Sequence, residues 1–232
     1  MTGPFGGGPV RVVPGAPQDT APQQDMDLSS AALAALAEPG AEGRLRVHRP
    51  RPTAAFSRVD SLAPGVPAAQ DAAGAHGFAP VVRPAGGRLA AYHRGALVLD
   101  LVAPHAEARR YIRERFSDAG EALAGGLREL GVDARVGAVP GEYCPGEFSV
   151  NAGGATKIVG TAQRLTRHGY LFSAVVLVAD PEPVRAVLRD AYAALAFAWD
   201  PATVGCVADA VPGVPVDAVA EALVPRILGL VG

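Results

Sequence analysis

The sequence predicts an α+β fold in which a mainly antiparallel mixed sheet is flanked by helices. Three observations carry that expectation. Short runs of strand-like alternation recur along the chain, glycine pairs punctuate several of them, and helical periodicity is confined to a few segments. Strands and helices do not alternate regularly, which argues against a doubly wound parallel sheet. A length of 232 residues suffices for one substantial core.

The elements follow in order. Residues 1–24, rich in Gly, Pro and Gln, read as a disordered or loosely packed leader, with one domain over residues 25–232. Residues 25–38 form a helix, with Asp25 or Asp27 near its start and Pro39-Gly40 ending it. Residues 44–50 alternate as a strand, and residues 53–59 are expected beside it. An Ala-rich helix ends near Gly74 or Gly77. Residues 79–104 read as strand, glycine turn and strand, with "ALVLDLV" the best buried strand of the first half. Residues 106–130 carry an apolar stripe of Tyr111, Ile112, Phe116, Leu123, Leu127 and Leu130, interrupted by Gly120, Gly125 and Gly126. A short strand at 132–139 follows, then a loop, then a hairpin turning on Gly153-Gly154. Residues 169–180 form another strand. A helix behind Pro181 keeps Val184, Val187, Leu188, Ala191, Tyr192 and Leu195 on one side. A last short helix ends the chain, and no internal repeat is present.

Composition narrows the function. Apolar residues make up 49% of the chain and charged residues 19%, with a net charge of -2, so no basic surface for nucleic acid is expected. The longest apolar run, residues 171–179, is far below the roughly 20 residues of a membrane helix, and no signal peptide is legible. Cys144 and Cys206 form neither a CxxC pair nor a disulfide framework. A soluble cytoplasmic protein is expected, and no metal-ligating constellation.

Three places hold chemistry. Lys157 is the chain's only lysine. The period of two puts it on one strand face with Val159, Thr161 and Gln163, where an amine could act as a fixed cation beside a carboxyl or acyl-phosphate group. A surface amine is the commoner fate of a lysine. The segment "VRPAGGRLAAYH" places Arg83 and Arg88 around Gly86-Gly87, a reasonable cradle for phosphate or carboxylate, although on this segment alone a plain hairpin turn with solvated arginines is the favoured reading; it is no P-loop and no dinucleotide fingerprint. Cys144 lies in a Pro/Gly loop between Tyr143 and Pro145, with His93, His105 and His168 available as partners in principle. His168 precedes a strand at a turn, where a structural role and a functional one are equally open, and Cys206 in an apolar run reads as core.

Together these segments resemble the lipoate–protein ligase A family, within the superfamily of biotin ligases and octanoyl transferases. "DMDL", "LRVHRPRPTAAFSRVDSL", "VVRPAGGRLAAYHRGALVLDLV" and "KIVGTAQRLTRHGYLFSAVVLV" occur in the family's order, and the last is the most specific. The resemblance implies an enzyme that attaches lipoyl or octanoyl groups to a lysine of lipoyl carrier domains, in 2-oxoacid dehydrogenases or the glycine cleavage protein. In its ligase form Mg-ATP activates the acid as an acyl-adenylate, with ATP and Mg2+ required. In its transferase form, without cofactor, an acyl carrier protein donates to Cys144 and the thioester passes to the acceptor lysine. Lys157 would contact the acyl carbonyl and phosphate. Arg83, Gly86 and Gly87 would line the pocket, with Arg88, His93, Thr161, Gln163 and His168 at motif positions around it, and both glycines and Lys157 would resist replacement.

The chain also departs from the family pattern. Val82-Arg83 stands for a paired arginine, Ala85 for Thr or Ser, and "EYCPGEFSV" for an Asn-Asp pair. Cys144 lies thirteen residues before Lys157, close to where cysteine-dependent transferases of the superfamily place their nucleophile. Those departures motivate a third reading, a non-catalytic acyl- or carrier-binding module, which the intact "KIVGTAQR" segment opposes. No separate C-terminal accessory domain is expected.

Overall fold

The computed structural model describes residues 3–17 and 19–231. Strands β1 (Val10–Pro14), β2 (Gly43–His48), β6 (Ala96–Pro104), β10 (Gly169–Leu177), β9 (Thr156–Leu165), β8 (Val150–Ala152) and β7 (Ala134–Val136) form one seven-stranded sheet in that spatial order. Every pairing in it is antiparallel except β1 with β2. A second sheet has three strands, β4 (Ala79–Val82), β3 (Thr53–Phe56) and β5 (Ala90–Tyr92), with β3 in the middle. The helices are α1 (Pro22–Ala35), α2 (Val66–Ala75), α3 (Ile112–Glu129), α4 (Glu182–Ala194) and α5 (Val216–Leu228). The expected α+β class is borne out.

Alternation along β10 separates the two sides of the large sheet. Tyr170, Phe172, Ala174 and Val176 join Leu97, Leu99 and Leu101 of β6 under Leu123 and Leu127 of α3 and Leu223 of α5. The intervening residues face α1 and the small sheet, where Phe56, Leu89, Tyr92, Leu188 and Tyr192 make a second core. The site lies between these layers. The Gly153-Gly154 hairpin forms as expected, with a three-residue loop of Gly153, Gly154 and Ala155 in which both glycines have positive φ (60° and 76°), a conformation that favours glycine.

Three expectations are corrected. The segment at 53–59 is not a neighbour of β2; its strand pairs parallel with β4 and antiparallel with β5. The glycine turn between β4 and β5 is therefore no hairpin, because the loop must cross to the far side of β3. The leader is also packed: β1 runs parallel to β2, Phe5 is buried, and Tyr170 donates its hydroxyl to the Phe5 carbonyl at 3.0 Å. Arg115, fully buried in α3, donates to the Pro4 carbonyl at 2.7 Å. Those contacts come from positions more than a hundred residues away, so local composition gave no sign of them. Met1, Thr2 and Gln18 of that leader lie outside the described residues.

Candidate active site

The β7–β8 connection forms a loop around one buried carboxylate. Glu142 accepts from the backbone N–H of Gly146 (2.8 Å), the hydroxyl of Ser149 (2.7 Å) and the N–H of Val139 (3.2 Å). Lys157 of β9 approaches the same carboxylate at 3.4 Å. The ammonium group has three N–H donors, and Lys157 also donates to the carbonyls of Cys144 (2.8 Å) and Tyr143 (3.1 Å). At 2% exposure its pKa is lowered: burial dominates, opposed by Cys144 and Glu142. Lys157 thus grips the cysteine loop rather than offering a free cation.

Cys144 sits at φ 42°, a left-handed conformation that costs a non-glycine residue on the order of 1–3 kcal/mol unless its surroundings hold it. Two groups hold it. Lys157 fixes its carbonyl, and Tyr192 of α4 accepts its N–H at 3.1 Å while donating to the Leu89 carbonyl at 2.6 Å. The sulfur is left half-buried at the edge of a groove, facing two donors: the backbone N–H of Arg88 (3.2 Å) and Nη2 of Arg83 (3.4 Å). Gly87, at φ 96°, lets the loop pass this close, since a Cβ there would lie 2.9 Å from the sulfur and 2.7 Å from Arg83 Nη2. Gly86 has open space around it and needs no glycine for its conformation. Of the two glycines expected to resist replacement, only Gly87 is required by this backbone geometry.

Other expected residues divide. Thr161 and Gln163 line the groove, but Gln163 does not share a face with Lys157. Its carbonyl oxygen accepts from Arg115 at 2.8 Å and its amide donates to the Ile112 carbonyl at 3.0 Å, both on the α3 side. A register shift between β8 and β9 explains this: Val150 opposes Val159 while Asn151 opposes Lys157, so Ile158 is an extra residue that inverts the alternation. Lys157 accordingly lies over Gly160. The Arg88 side chain turns away to Asp60 (3.3 Å) and the face of Phe197, leaving only its backbone in the site. His93 is taken up by the Asp180 carbonyl (2.8 Å) and the Gly95 N–H (2.9 Å), and His168 accepts from Arg167 at 2.7 Å; neither lines the groove. His105 is held at the Gly3 carbonyl, and Cys206 is buried, its thiol pushed up to about 11 chiefly by burial. Sequence reasoning missed Glu142, Tyr192 and the Phe116–Phe148 stack (centroids 5.7 Å apart) that walls the groove. Only the adjacency of Glu142 to Cys144 was visible.

The groove holding Cys144, Lys157 and Phe148 encloses about 450 Å³. Across Gly86-Gly87 it adjoins an open cleft of about 610 Å³ lined by Arg58, Arg109 and Arg164. Behind the sulfur, a small cavity leads past Tyr92 and Ser173 toward a buried ionic cluster. There Asp100 accepts from Ser29 (2.6 Å), Ser173 (2.6 Å) and Arg46 (2.9 Å), and Arg46 also reaches Asp25. Among the described residues no group of three or more His, Cys, Asp or Glu is placed to hold a metal ion. No helix among them is long and apolar enough to cross a membrane.

Comparison with known proteins agrees with this architecture. The chain is 29% identical over 182 residues to an octanoyl-[GcvH]:protein N-octanoyltransferase of Exiguobacterium sibiricum, covering 74% of this chain and 62% of that protein. It thus spans under two thirds of that relative's length. A Geobacillus kaustophilus protein of the same name is 30% identical over 93 residues, covering 40% of this chain and 32% of that one. A lipoate-protein ligase A bound with ATP superposes with a TM-score of 0.71 at 20% identity, over 97% of this chain and 85% of that one. The bi-partite lipoate protein ligase of Thermoplasma acidophilum, studied with its E2 lipoyl domain, gives 0.66 at 22% identity, over 97% and 83%. These structures share the fold. The family model for the lipoyl protein ligase A/B catalytic domain matches residues 21–227, and the chain therefore belongs to that family of enzymes.

Proposed function

We propose that this chain is a cysteine-dependent acyltransferase that moves an octanoyl or lipoyl group from a thioester donor to a lysine of a lipoyl carrier protein. One observation carries the reading. Cys144 is held in a strained conformation at a groove edge with its sulfur facing the Arg88 N–H and Arg83, while Lys157 and Tyr192 spend their hydrogen bonds keeping it there. Strain retained by so many partners is expected where geometry serves chemistry.

In the first step the Cys144 thiolate attacks the donor's carbonyl carbon. The new C–S bond forms as the donor's C–S bond breaks, and the departing thiolate takes a proton from solvent. In the second, the carrier's neutral lysine amine attacks the acyl-cysteine; an amide forms, the Cys144 sulfur leaves, and the amine gives up a proton. Arg83, whose Nη2 lies 3.4 Å from the Cys144 sulfur, is a fixed cation suited to the oxyanion of each step. Ile112, Phe116 and Phe148 give the alkyl chain an apolar wall, and about 450 Å³ is within the usual size of a small-molecule site.

The ligase reading keeps Arg83 and Lys157 but needs Mg-ATP. The cleft beside Gly86-Gly87 has arginines for phosphates, yet no carboxylate lines it among the described residues, and nucleotide-bound Mg2+ is ordinarily held by one or two. The one carboxylate lining the adjoining groove among the described residues, Glu147, is paired with Arg113, so neither lining offers a free carboxylate for the metal and the transferase is preferred.

Intact mass spectrometry tests this. The protein is incubated with octanoyl-N-acetylcysteamine without ATP, or with octanoate and Mg-ATP, with and without an apo GcvH carrier. An ATP-independent octanoyl adduct that hydroxylamine removes, that Cys144→Ser abolishes, and that passes to the carrier is expected. Carrier modification only with ATP, unaffected by Cys144→Ser, would establish the ligase instead.

A further inference from the structure

The cleft next to the reactive groove carries a charge pattern the chemistry above does not use. Arg58 follows β3, Arg109 precedes α3, and Arg164 is near the end of β9, so three distant segments each place an arginine in one concavity. All three are exposed, and none has an ion pair among the described residues. Their neighbours differ: Arg110 lies 3.8 Å from Glu107, and Arg113 pairs with Glu147 at 2.5 Å. No Asp or Glu lines the cleft, although the chain as a whole has a net charge of -2. Positive potential is concentrated here against the charge of the molecule.

We infer that this cleft is the docking surface for the protein substrate, and that it fits a carrier domain whose surface is acidic beside its acceptor lysine. Position supports this. The cleft and the groove share Gly86, Gly87, Ile112, Gln163 and Leu165, so a domain seated on the arginines has its edge at Cys144. Apolar surface accompanies the charge: Val59 lines the cleft at 62% exposure, and Leu62 in the next turn is 81% exposed. Shape favours a protein over a free nucleotide, because the cleft is wide, open and without carboxylates for magnesium. The inference rests on the acyl-transfer reading for what the partner delivers, and on the arginine pattern for its charge.

The test separates docking from chemistry. Apo GcvH is titrated by calorimetry into the full chain and into the triple variants Arg58→Gln/Arg109→Gln/Arg164→Gln and Arg58→Glu/Arg109→Glu/Arg164→Glu, each checked for an unchanged thermal midpoint. Binding that weakens on the order of tenfold or more in the Gln variant, further in the Glu variant, and with added salt in the wild type is expected, as for a charge-steered encounter. Loading of Cys144 from octanoyl-N-acetylcysteamine should be unchanged in the Gln variant. Undiminished carrier binding in that variant, or loss of Mg-ATP binding in its place, overturns the inference. If the wild type binds the carrier but never loads Cys144, the transferase reading has failed and the docking surface stands.

Discussion

A β-carbon on Gly87 would intrude on both Cys144 and Arg83, and φ 96° is itself unfavourable for any side chain. Gly87→Ala is therefore expected to slow Cys144 loading more than tenfold, with Gly86→Ala close to wild type, followed by the time course of the acyl-enzyme mass. Equal effects at the two positions would remove the close approach as the reason. Lys157 poses a different question, since it is buried against Glu142 and two carbonyls. Lys157→Met leaves the Glu142 carboxylate uncompensated, at a cost of about 3–5 kcal/mol. The paired change Lys157→Met/Glu142→Gln should regain part of the thermal midpoint while loading stays impaired, because the carbonyls of Tyr143 and Cys144 still lack their clamp. Tyr192→Phe leaves the Cys144 N–H and the Leu89 carbonyl without their partner, costing about 1–3 kcal/mol.

Among elements, β9 and α3 are two further stretches where local pattern misled. Strict alternation placed Lys157 beside Gln163, but the extra residue Ile158 inverts the phase, and a bulge has no signature in an isolated strand. In α3, Gly120, Gly125 and Gly126 looked like weak points for a helix. At Gly126 a Cβ would meet Leu223 Cδ2 at 2.6 Å and the Ala222 carbonyl at 3.0 Å, so glycine there sets how closely α5 packs. Helix propensity alone makes Gly→Ala worth about 1 kcal/mol, whereas overpacking costs about 1–3 kcal/mol. Gly126→Ala should therefore lower the urea midpoint; a rise would mean that α5 yields easily.

Across the molecule, Asp100 ties α1, β2, β6 and β10 together through Ser29, Arg46 and Ser173. Burial pushes the carboxyl up, but Arg46, His48 and the two hydroxyls outweigh it and hold it below the ordinary range. Removing it leaves Arg46 buried with a lost partner, so Asp100→Ala should cost about 3–5 kcal/mol. His48 is lowered by burial first and by Arg46 second. Both groups thus bind protons more readily in the unfolded chain, so stability is greatest above their unfolded values and declines as pH falls: through His48 from about pH 6.5 downward, and through Asp100 below about pH 4. Urea midpoints at pH 8, 6 and 4.5 should decrease in that order, and His48→Gln should flatten the first step. A midpoint constant from pH 8 to 5 would contradict the role of His48. The sequence by itself determined the fold class, most of the helices and long strands, the Gly153-Gly154 hairpin and the three segments, around Gly87, Cys144 and Lys157, that meet in the candidate site, because periodicity, turn residues and motif order are local properties. Only the tertiary structure decided that β3 joins the second sheet, that the first residues pack on Arg115 and Tyr170, and that Arg88, His93 and His168 turn away while Glu142 and Tyr192 hold the cysteine. Those outcomes depend on which distant groups meet in a buried place, where a donor or charge must find its partner, and no local pattern contains that information.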